Sequence, residues 1–304
     1  SAASDVYKRQ VDLQDLGVRA YTYVTTLFYL IDVCAAAGKE IWVFDRPNPS
    51  GRKTEGLMLQ SGWESFIGPA EMIMQYGLTI AELAAWYIEE KKYEIDYHIV
   101  SMEGYHPERP PGYGWPVFEW PWVNPSPNAA GLNMARCYPG TCLIEGTTLS
   151  EGRGTTHPLE MTGAPDLDFN RILDTMRKIQ PVWLEGAVIR SCHFEPVFDK
   201  HTGKLCNGIQ IHTDVKEFDP GKFVPFRLVS LLLKVLRLEY PDYPLWREGI
   251  FEYETKRLAF DLLAGNDFLR KWIDDPESEP GDLENRVKAD EREWRGRTSS
   301  FHLY

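Results

Sequence analysis

The chain has 304 residues, of which 43% are apolar and 26% are charged, and its formal net charge is -12. This composition is ordinary for a globular protein with one large core or two modest ones. The acidic balance argues against broad binding to nucleic acid or anionic membranes, since both require basic patches. A neutral or sugar ligand suits the charge better, and no run approaches the ~20 apolar residues of a membrane span.

The first ten residues, SAASDVYKRQ, are predicted to be a translated sequencing adapter. Each codon of their back-translation fits a transposon adapter, and a natural polar N-terminus is the alternative. On the first interpretation the natural sequence begins near Val11, and residues 1–10 are excluded from fold reasoning.

The segment that follows indicates alternating strands and helices. Residues 11–13 read as the end of a strand, and residues 23–37 as a helix with one apolar face and Gly38 as its stop. The apolar run 41–44 suggests a strand buried on both faces. Thr79 and Glu82 form a capping box that opens a helix to about residue 92, before an alternating strand at 95–99. This order favours an α/β fold with a mainly parallel, Rossmann-like sheet.

Residues 103–128 form a long loop rich in proline and glycine. Its three tryptophans argue against disorder, and they either pin the loop to the protein or stack on sugar faces. The apolar pair 143–144 reads as the end of another strand.

The pattern changes after Pro165. A helix at 169–179, a β-hairpin of 188–194 and 205–215, and four further helices suggest an α+β unit. We therefore predict a catalytic domain at residues 11–165 and a smaller auxiliary domain at 166–304.

The five cysteines show no CxxC pair and no metal-ligand spacing, so no metal site is expected. Cys192 and Cys206 flank the predicted hairpin. They could pair in an oxidising compartment or remain buried thiols. No phosphate-binding glycine motif occurs, and no cofactor is expected.

Carboxylates are the best candidates for chemistry, because glycoside hydrolysis uses one carboxyl group to protonate the leaving oxygen and usually a second to activate water or attack the sugar. Glu145 and Asp45 each follow a predicted strand, where ligands bind in parallel sheets. Either could instead cap a helix or pair with an arginine. Arg153, between two glycines, could bind a carboxylate ligand or form an ion pair with Glu145 or Glu160.

These segments resemble the family of exo-β-N-acetylmuramidases. The motifs that carry the resemblance, in family order, are DLQDLGVR at 12–19, YTY at 21–23, DRPNP at 45–49, YGLT at 76–79 with ELA at 82–84, PSPN at 125–128, YPG at 138–140, EGT at 145–147, GRGT at 152–155 and GAP at 163–165. The C-terminal half matches more loosely, through CNG at 206–208 and the closing LY at 303–304.

The resemblance implies hydrolysis that releases N-acetylmuramic acid from non-reducing ends of peptidoglycan fragments, in an exported protein. A non-catalytic muropeptide-binding protein on the same fold is the alternative. The resemblance implies that Glu145 and Asp45 are candidates for the second catalytic carboxylate or for substrate ligands, and that Arg153 meets the lactyl group of the substrate. Further substrate contacts are expected from Asp15, Arg19, Tyr21, Arg46, Asn48 and Asn128.

The sequence also departs from the family pattern. Thr148, Tyr76 and Tyr105 stand where many members carry Asn, His and Trp, which affects fine specificity more than reaction class. A Pro-Glu-His-Gly segment, whose glutamate is the favoured general acid in the family, is not found. We therefore expect a truncated chain that is inactive by itself.

Overall fold

The computed structural model describes residues 8–304. In the first part of the chain the strands are β1 (Lys8–Val11), β2 (Glu40–Phe44), β3 (Glu55–Met58), β4 (Ile73–Gln75) and β5 (Tyr97–Val100), and the helices are α1 (Tyr23–Ala36), α2 (Ile80–Lys91) and α3 (Leu132–Thr141). A 3-10 helix, Cys142–Gly146, directly continues α3.

The remaining elements are β6 (Met161–Ala164), α4 (Phe169–Ile179), a 3-10 helix (Pro181–Leu184), β7 (Val188–Phe194), β8 (Cys206–His212), α5 (Pro225–Glu239), α6 (Ala259–Ala264), α7 (Phe268–Asp274), α8 (Pro280–Thr298) and a closing 3-10 helix (Ser299–Phe301).

A parallel sheet of order β1-β2-β5 organises the N-terminal part, with α1 joining β1 to β2. The predicted apolar face of α1 is buried, and Phe28 stacks on Tyr87 of α2 with ring centroids 3.7 Å apart. The predicted capping box of α2 forms in both directions between Thr79 and Glu82. The expected α/β class with a parallel sheet is confirmed.

A second sheet, of order β6-β8-β7, is antiparallel and packs with α4 and α5. The hairpin of β7 and β8 matches the predicted one. β6 precedes the predicted domain boundary near Asp166 and pairs with β8. The division at residues 165 and 166 stays a prediction.

Two predicted strand features are wrong. Leu143 and Ile144 end no strand, because the chain continues from α3 into the 3-10 helix that buries both side chains. A short apolar run does not distinguish a buried strand from a buried helical turn. β2 is also not buried on both faces, since Trp42 is half-buried and stacks on His98 of β5.

The N-terminal strand includes Lys8, Arg9 and Gln10, which belong to the segment interpreted as an adapter. They pair in parallel with Glu40, Ile41 and Trp42. Strand pairing uses backbone groups that almost every residue carries, so the adapter interpretation stays a prediction. Residues 1–7 lie outside the described residues.

All five cysteines are buried and free. Cys192 and Cys206 share a small apolar cluster with Met161 and Phe194. The register of the hairpin places Cys192 opposite Gly208, so the two thiols do not face each other directly. Of the two alternatives for this pair, the structure has the free thiols. Within residues 8–304, no helix is long and apolar enough to cross a bilayer.

Candidate active site

A cavity of about 260 Å³ collects residues from both parts of the chain. Four of the predicted site residues line it together: Tyr21, Asn128, Glu145 and Arg153. The other lining residues are Ala20, Thr22, Ile67, Ser126, Met134, Tyr138, Leu159, Phe251, Glu252 and Leu263. Larger cavities occur elsewhere, including one of about 390 Å³ beside Arg136. We assign the site by its convergent carboxylates rather than by volume.

The helical segment that carries Glu145 fixes the position of its side chain. Met134 and Tyr138 are four residues apart on α3, so they lie on one helical face and both line the cavity. Gly146 follows Glu145 and packs against the backbone of α6. A Cβ atom at this position would lie 2.5 Å from the Cα atom of Phe260. Only glycine therefore lets the turn bearing Glu145 approach α6 so closely.

Four charged side chains of alternating sign form a network, in which Glu145 and Arg153 line the cavity and Glu151 and Lys200 do not. Arg153 Nη2 lies 3.0 Å from Glu145 Oε2, and Arg153 Nε lies 2.8 Å from Glu151 Oε1. The other oxygen of Glu151, Oε2, accepts a hydrogen bond of 2.8 Å from Lys200 Nζ. Of the two ion-pair partners suggested for Arg153, Glu145 is the one it contacts. Glu160 instead lies 3.1 Å from His157.

The two carboxylates of this network have different protonation tendencies. Burial raises the pKa of Glu145, although Arg153 partly opposes the shift. Burial also acts to raise the pKa of Glu151, but Lys200 and Arg153 outweigh it and the pKa falls below its ordinary value. Oε1 of Glu145 is buried and has no hydrogen-bond partner within the described residues. Glu145 is thus the member best able to hold a proton, and Glu151 is its ionised neighbour.

Tyrosine rings form one wall of the cavity. The ring of Tyr21 lies 6.3 Å from that of Tyr138, edge to face, and 4.7 Å from that of Tyr23. Burial, reinforced by the nearby Glu145 carboxylate, raises the pKa of the Tyr138 hydroxyl. This hydroxyl therefore stays neutral and can donate a hydrogen bond over the physiological pH range.

Asp45, the second candidate carboxylate, does not line this cavity. Its oxygens accept hydrogen bonds from Thr79 Oγ1 at 2.8 Å, the backbone N–H of Ala81 at 3.0 Å and the hydroxyl of Tyr304 at 2.9 Å. Asp45 thus accepts hydrogen bonds from the N-terminus of α2 and from Tyr304, which it holds in place. These contacts are of the helix-capping kind named as the alternative for Asp45, and its catalytic role stays a prediction.

Four predicted substrate ligands make internal contacts instead. Arg19 is fully buried and donates to the carbonyls of Leu57, Met72 and Leu263. Arg46 forms an exposed ion pair with Asp12, and the Asn48 amide bonds to Leu78 O. Asp15 accepts hydrogen bonds from Gly17 N and the Tyr76 hydroxyl, and burial raises its pKa to about 6. None of the four lines the cavity, and their role as substrate ligands stays a prediction.

Sequence reasoning missed Glu151, which lies two residues before Arg153, and also missed Glu252 and Lys200. Glu252 lines the cavity from a tight turn closed by Phe251 and Glu254, with a φ of 45°. Lys200 reaches Glu151 from the connection between β7 and β8. Neither has a local sequence signal, since both reach the site only through tertiary packing. Within residues 8–304, no group of three or more His, Cys, Asp or Glu side chains could hold a metal ion.

Both parts of the chain match models of one protein family. Residues 6–133 match the model described as exo-beta-N-acetylmuramidase NamZ, N-terminal, and residues 136–304 match its C-terminal counterpart. The chain belongs to the exo-β-N-acetylmuramidase NamZ family. The family resemblance stated from the motifs is therefore confirmed, and the three departures at Tyr76, Tyr105 and Thr148 do not line the cavity.

One curated relative within the NamZ family is the peptidoglycan beta-N-acetylmuramidase NamZ of Bacillus subtilis (strain 168). It is 34% identical over 282 residues, which cover 92% of this chain and 63% of that protein. The chain thus spans less than two-thirds of the length of this relative. The match to both family models gives no support to the expectation of a missing catalytic segment.

Two solved structures share the fold, both described as DUF1343 family proteins from Bacteroides fragilis NCTC 9343. One superposes with a TM-score of 0.83 at 24% identity, covering 99% of this chain and 75% of the other. The second has a TM-score of 0.71 at 25% identity, covering 98% and 75%.

Proposed function

We propose that this chain is a glycoside hydrolase that releases N-acetylmuramic acid from the non-reducing end of peptidoglycan fragments. The observation that carries the proposal is a largely buried carboxyl group, Glu145, whose pKa is raised and which lines a tyrosine-walled cavity. A raised pKa favours the protonated form, and a protonated carboxyl group can protonate a leaving glycosidic oxygen. Membership of the NamZ family supports the same reaction class.

In the proposed reaction, Glu145 gives its proton to the glycosidic oxygen as the bond from that oxygen to the anomeric carbon breaks. A water molecule adds to the anomeric carbon and loses a proton to a second carboxylate. Glu252 is our candidate for this base, because it lines the same cavity and its side chain is exposed. A second carboxylate in the cavity is the kind of group that activates water in glycoside hydrolysis.

Arg153 is the candidate for recognition of the lactyl carboxylate that distinguishes muramic acid from glucosamine. Its Nε atom donates a hydrogen bond to Glu151 and its Nη2 atom donates one to Glu145, whereas Nη1 has no hydrogen bond within the described residues. One guanidinium can thus hold Glu145 and still offer a donor to an anionic substrate. We also propose that the protein is exported, as the family resemblance implies.

The test is hydrolysis of a chromogenic β-N-acetylmuramide by purified wild-type protein, with the matching β-N-acetylglucosaminide as the control substrate. We expect release from the muramide and little from the glucosaminide. Saturable binding of muropeptides without turnover would favour the non-catalytic alternative. Absence of both binding and turnover would contradict the proposal. The same assay tests whether residues 1–304 are active by themselves.

A further inference from the structure

The connection between β7 and β8, residues 195–205, packs against residues 144–154, the segment that bears Glu145 and Arg153, and holds it by hydrogen bonds. Lys200 Nζ donates to Ile144 O at 2.9 Å, Leu149 O at 3.0 Å and Glu151 Oε2 at 2.8 Å. An ammonium group has three N–H donors, so all of them are used on this one segment. Only 13% of the Lys200 side chain is exposed.

Two neighbouring contacts reinforce this packing. His201 Nε2 lies 3.0 Å from Thr148 O, and the backbone N–H of Val197 donates to Gly154 O at 3.3 Å. A Cβ atom at Gly154 would lie 2.6 Å from the backbone nitrogen of Phe198. The hairpin connection therefore touches the segment on both sides of Arg153 and just before Glu145.

We propose that Lys200 is a positioning residue for the Glu145–Arg153 pair, acting through Glu151. Lys200 holds one oxygen of Glu151, whose other oxygen orients Arg153, which in turn orients Glu145. The proposal rests on the function proposed for Glu145 and extends it to a residue that lies outside the cavity lining. Without the ammonium group, Glu151 would keep a buried charge with only Arg153 to balance it.

The positive charge of Lys200 also acts on Glu145 at a distance and lowers its pKa, against the larger effect of burial. Loss of that charge must raise the pKa of Glu145 further. The other titratable or charged groups that face Glu145 are Arg153, Glu151, Tyr138, Cys142, Glu252 and Arg247. All of them remain in a Lys200 variant, so a change in the pKa of Glu145 would report on Lys200.

The test compares Lys200→Met, Lys200→Arg and Lys204→Met with the wild-type protein. Lys204 is an exposed residue of the same connection. Lys204→Met therefore removes an equal charge without removing a contact to the segment that bears Glu145 and Arg153. For Lys200→Met we expect kcat on the muramide to fall about 10- to 100-fold, with a smaller change in KM, because misplaced catalytic groups cost this much. The limb of the pH profile set by Glu145 should move to higher pH. Lys200→Arg should restore part of the rate, and Lys204→Met should match the wild type.

A second readout keeps the proposal testable if the wild-type protein hydrolyses no muramide, an outcome that would overturn the proposed function but not the positioning role. The Glu145 carboxyl carbon is titrated by ¹³C NMR, with its signal assigned from Glu145→Gln. We expect a higher pKa in folded Lys200→Met than in the wild type and Lys204→Met. If Lys200→Met does not fold, Glu151→Gln replaces it, with a lower kcat and an altered Glu145 titration expected. An unchanged Glu145 titration in the folded variant would overturn the positioning role.

Discussion

Arg153 Nη2 lies 3.0 Å from Glu145 Oε2, and the same guanidinium binds Glu151 through Nε. The planar fork of arginine makes this double contact, which a lysine ammonium cannot reproduce with the same geometry. The proposed acid is therefore held by a residue from the Gly-Arg-Gly segment, and the hairpin connection holds that segment in turn.

Two replacements of Arg153 should distinguish the effect of its guanidinium geometry on activity from the effect of its charge on stability. Arg153→Lys keeps the charge but loses the fork, so we expect kcat/KM on the muramide to fall about 100-fold. Arg153→Met removes the cationic partner of Glu145 and leaves Glu151 with Lys200 alone. It should lower the free energy of unfolding by about 3 kcal/mol, measured by urea denaturation. The exposed pair of Arg177 and Asp174 provides the control, and Arg177→Met should cost less than about 1 kcal/mol. Equal effects of the two Met variants would contradict this account.

Asp45 should contribute to stability rather than to turnover. Asp45→Ala removes the acceptor for Ala81 N at the start of α2 and for the Tyr304 hydroxyl. We expect a loss of about 1–2 kcal/mol of unfolding free energy, with kcat of the folded protein nearly unchanged. Assays well below the Tm of the variant measure both quantities. A hundredfold loss of kcat in fully folded protein would return Asp45 to the catalytic candidates.

Gly146 should tolerate no side chain. In Gly146→Ala the new Cβ atom would meet backbone atoms of Phe260 at 2.5 Å, so the turn that carries Glu145 must move. We expect a lower Tm and a lower kcat together. Gly296→Ala is the matched control, because Gly296 lies exposed in α8 with nothing within 4 Å of a new Cβ atom. It should raise stability by up to about 1 kcal/mol. Wild-type activity in Gly146→Ala would show that the close approach is not required.

Local sequence patterns predict only some of the contacts on which these predictions depend. Strands β2 and β5, α1 and the capping box of α2 follow from periodicity and from Thr79 and Glu82, because those signals are local. β1 ends at Val11 rather than at residue 13, and its first three residues fall in the segment interpreted as an adapter. Glu145 was assigned to the end of a strand, since an apolar pair reads alike in a strand and in a helical turn. Lys200 and Glu252 could not be found, because long-range packing of a hairpin and a turn brings them to the site.

The buried carboxyl group of Asp15 should make stability depend on pH. Its pKa is about 6 in the folded protein, against an ordinary value of 3.8. Between about pH 4 and 6 the folded state holds a proton that the unfolded state has released, so the unfolding free energy contributed by Asp15 falls as pH rises. The fall should be roughly 3 kcal/mol and should disappear in Asp15→Asn. Urea denaturation across this range checks it, with Asp12→Asn, at an exposed ion pair, as the control. An equal pH dependence in Asp15→Asn and wild type would contradict it.

The central claim, that Glu145 supplies the proton for glycoside cleavage, is tested most directly by the kcat of Glu145→Gln on a chromogenic β-N-acetylmuramide. Glutamine keeps the size and the contact with Arg153 but carries no acidic proton. We expect kcat to fall by about 10²- to 10⁴-fold with KM changed little, in a protein whose Tm stays close to that of the wild type. Hydrolysis at the wild-type rate by Glu145→Gln would contradict the assignment.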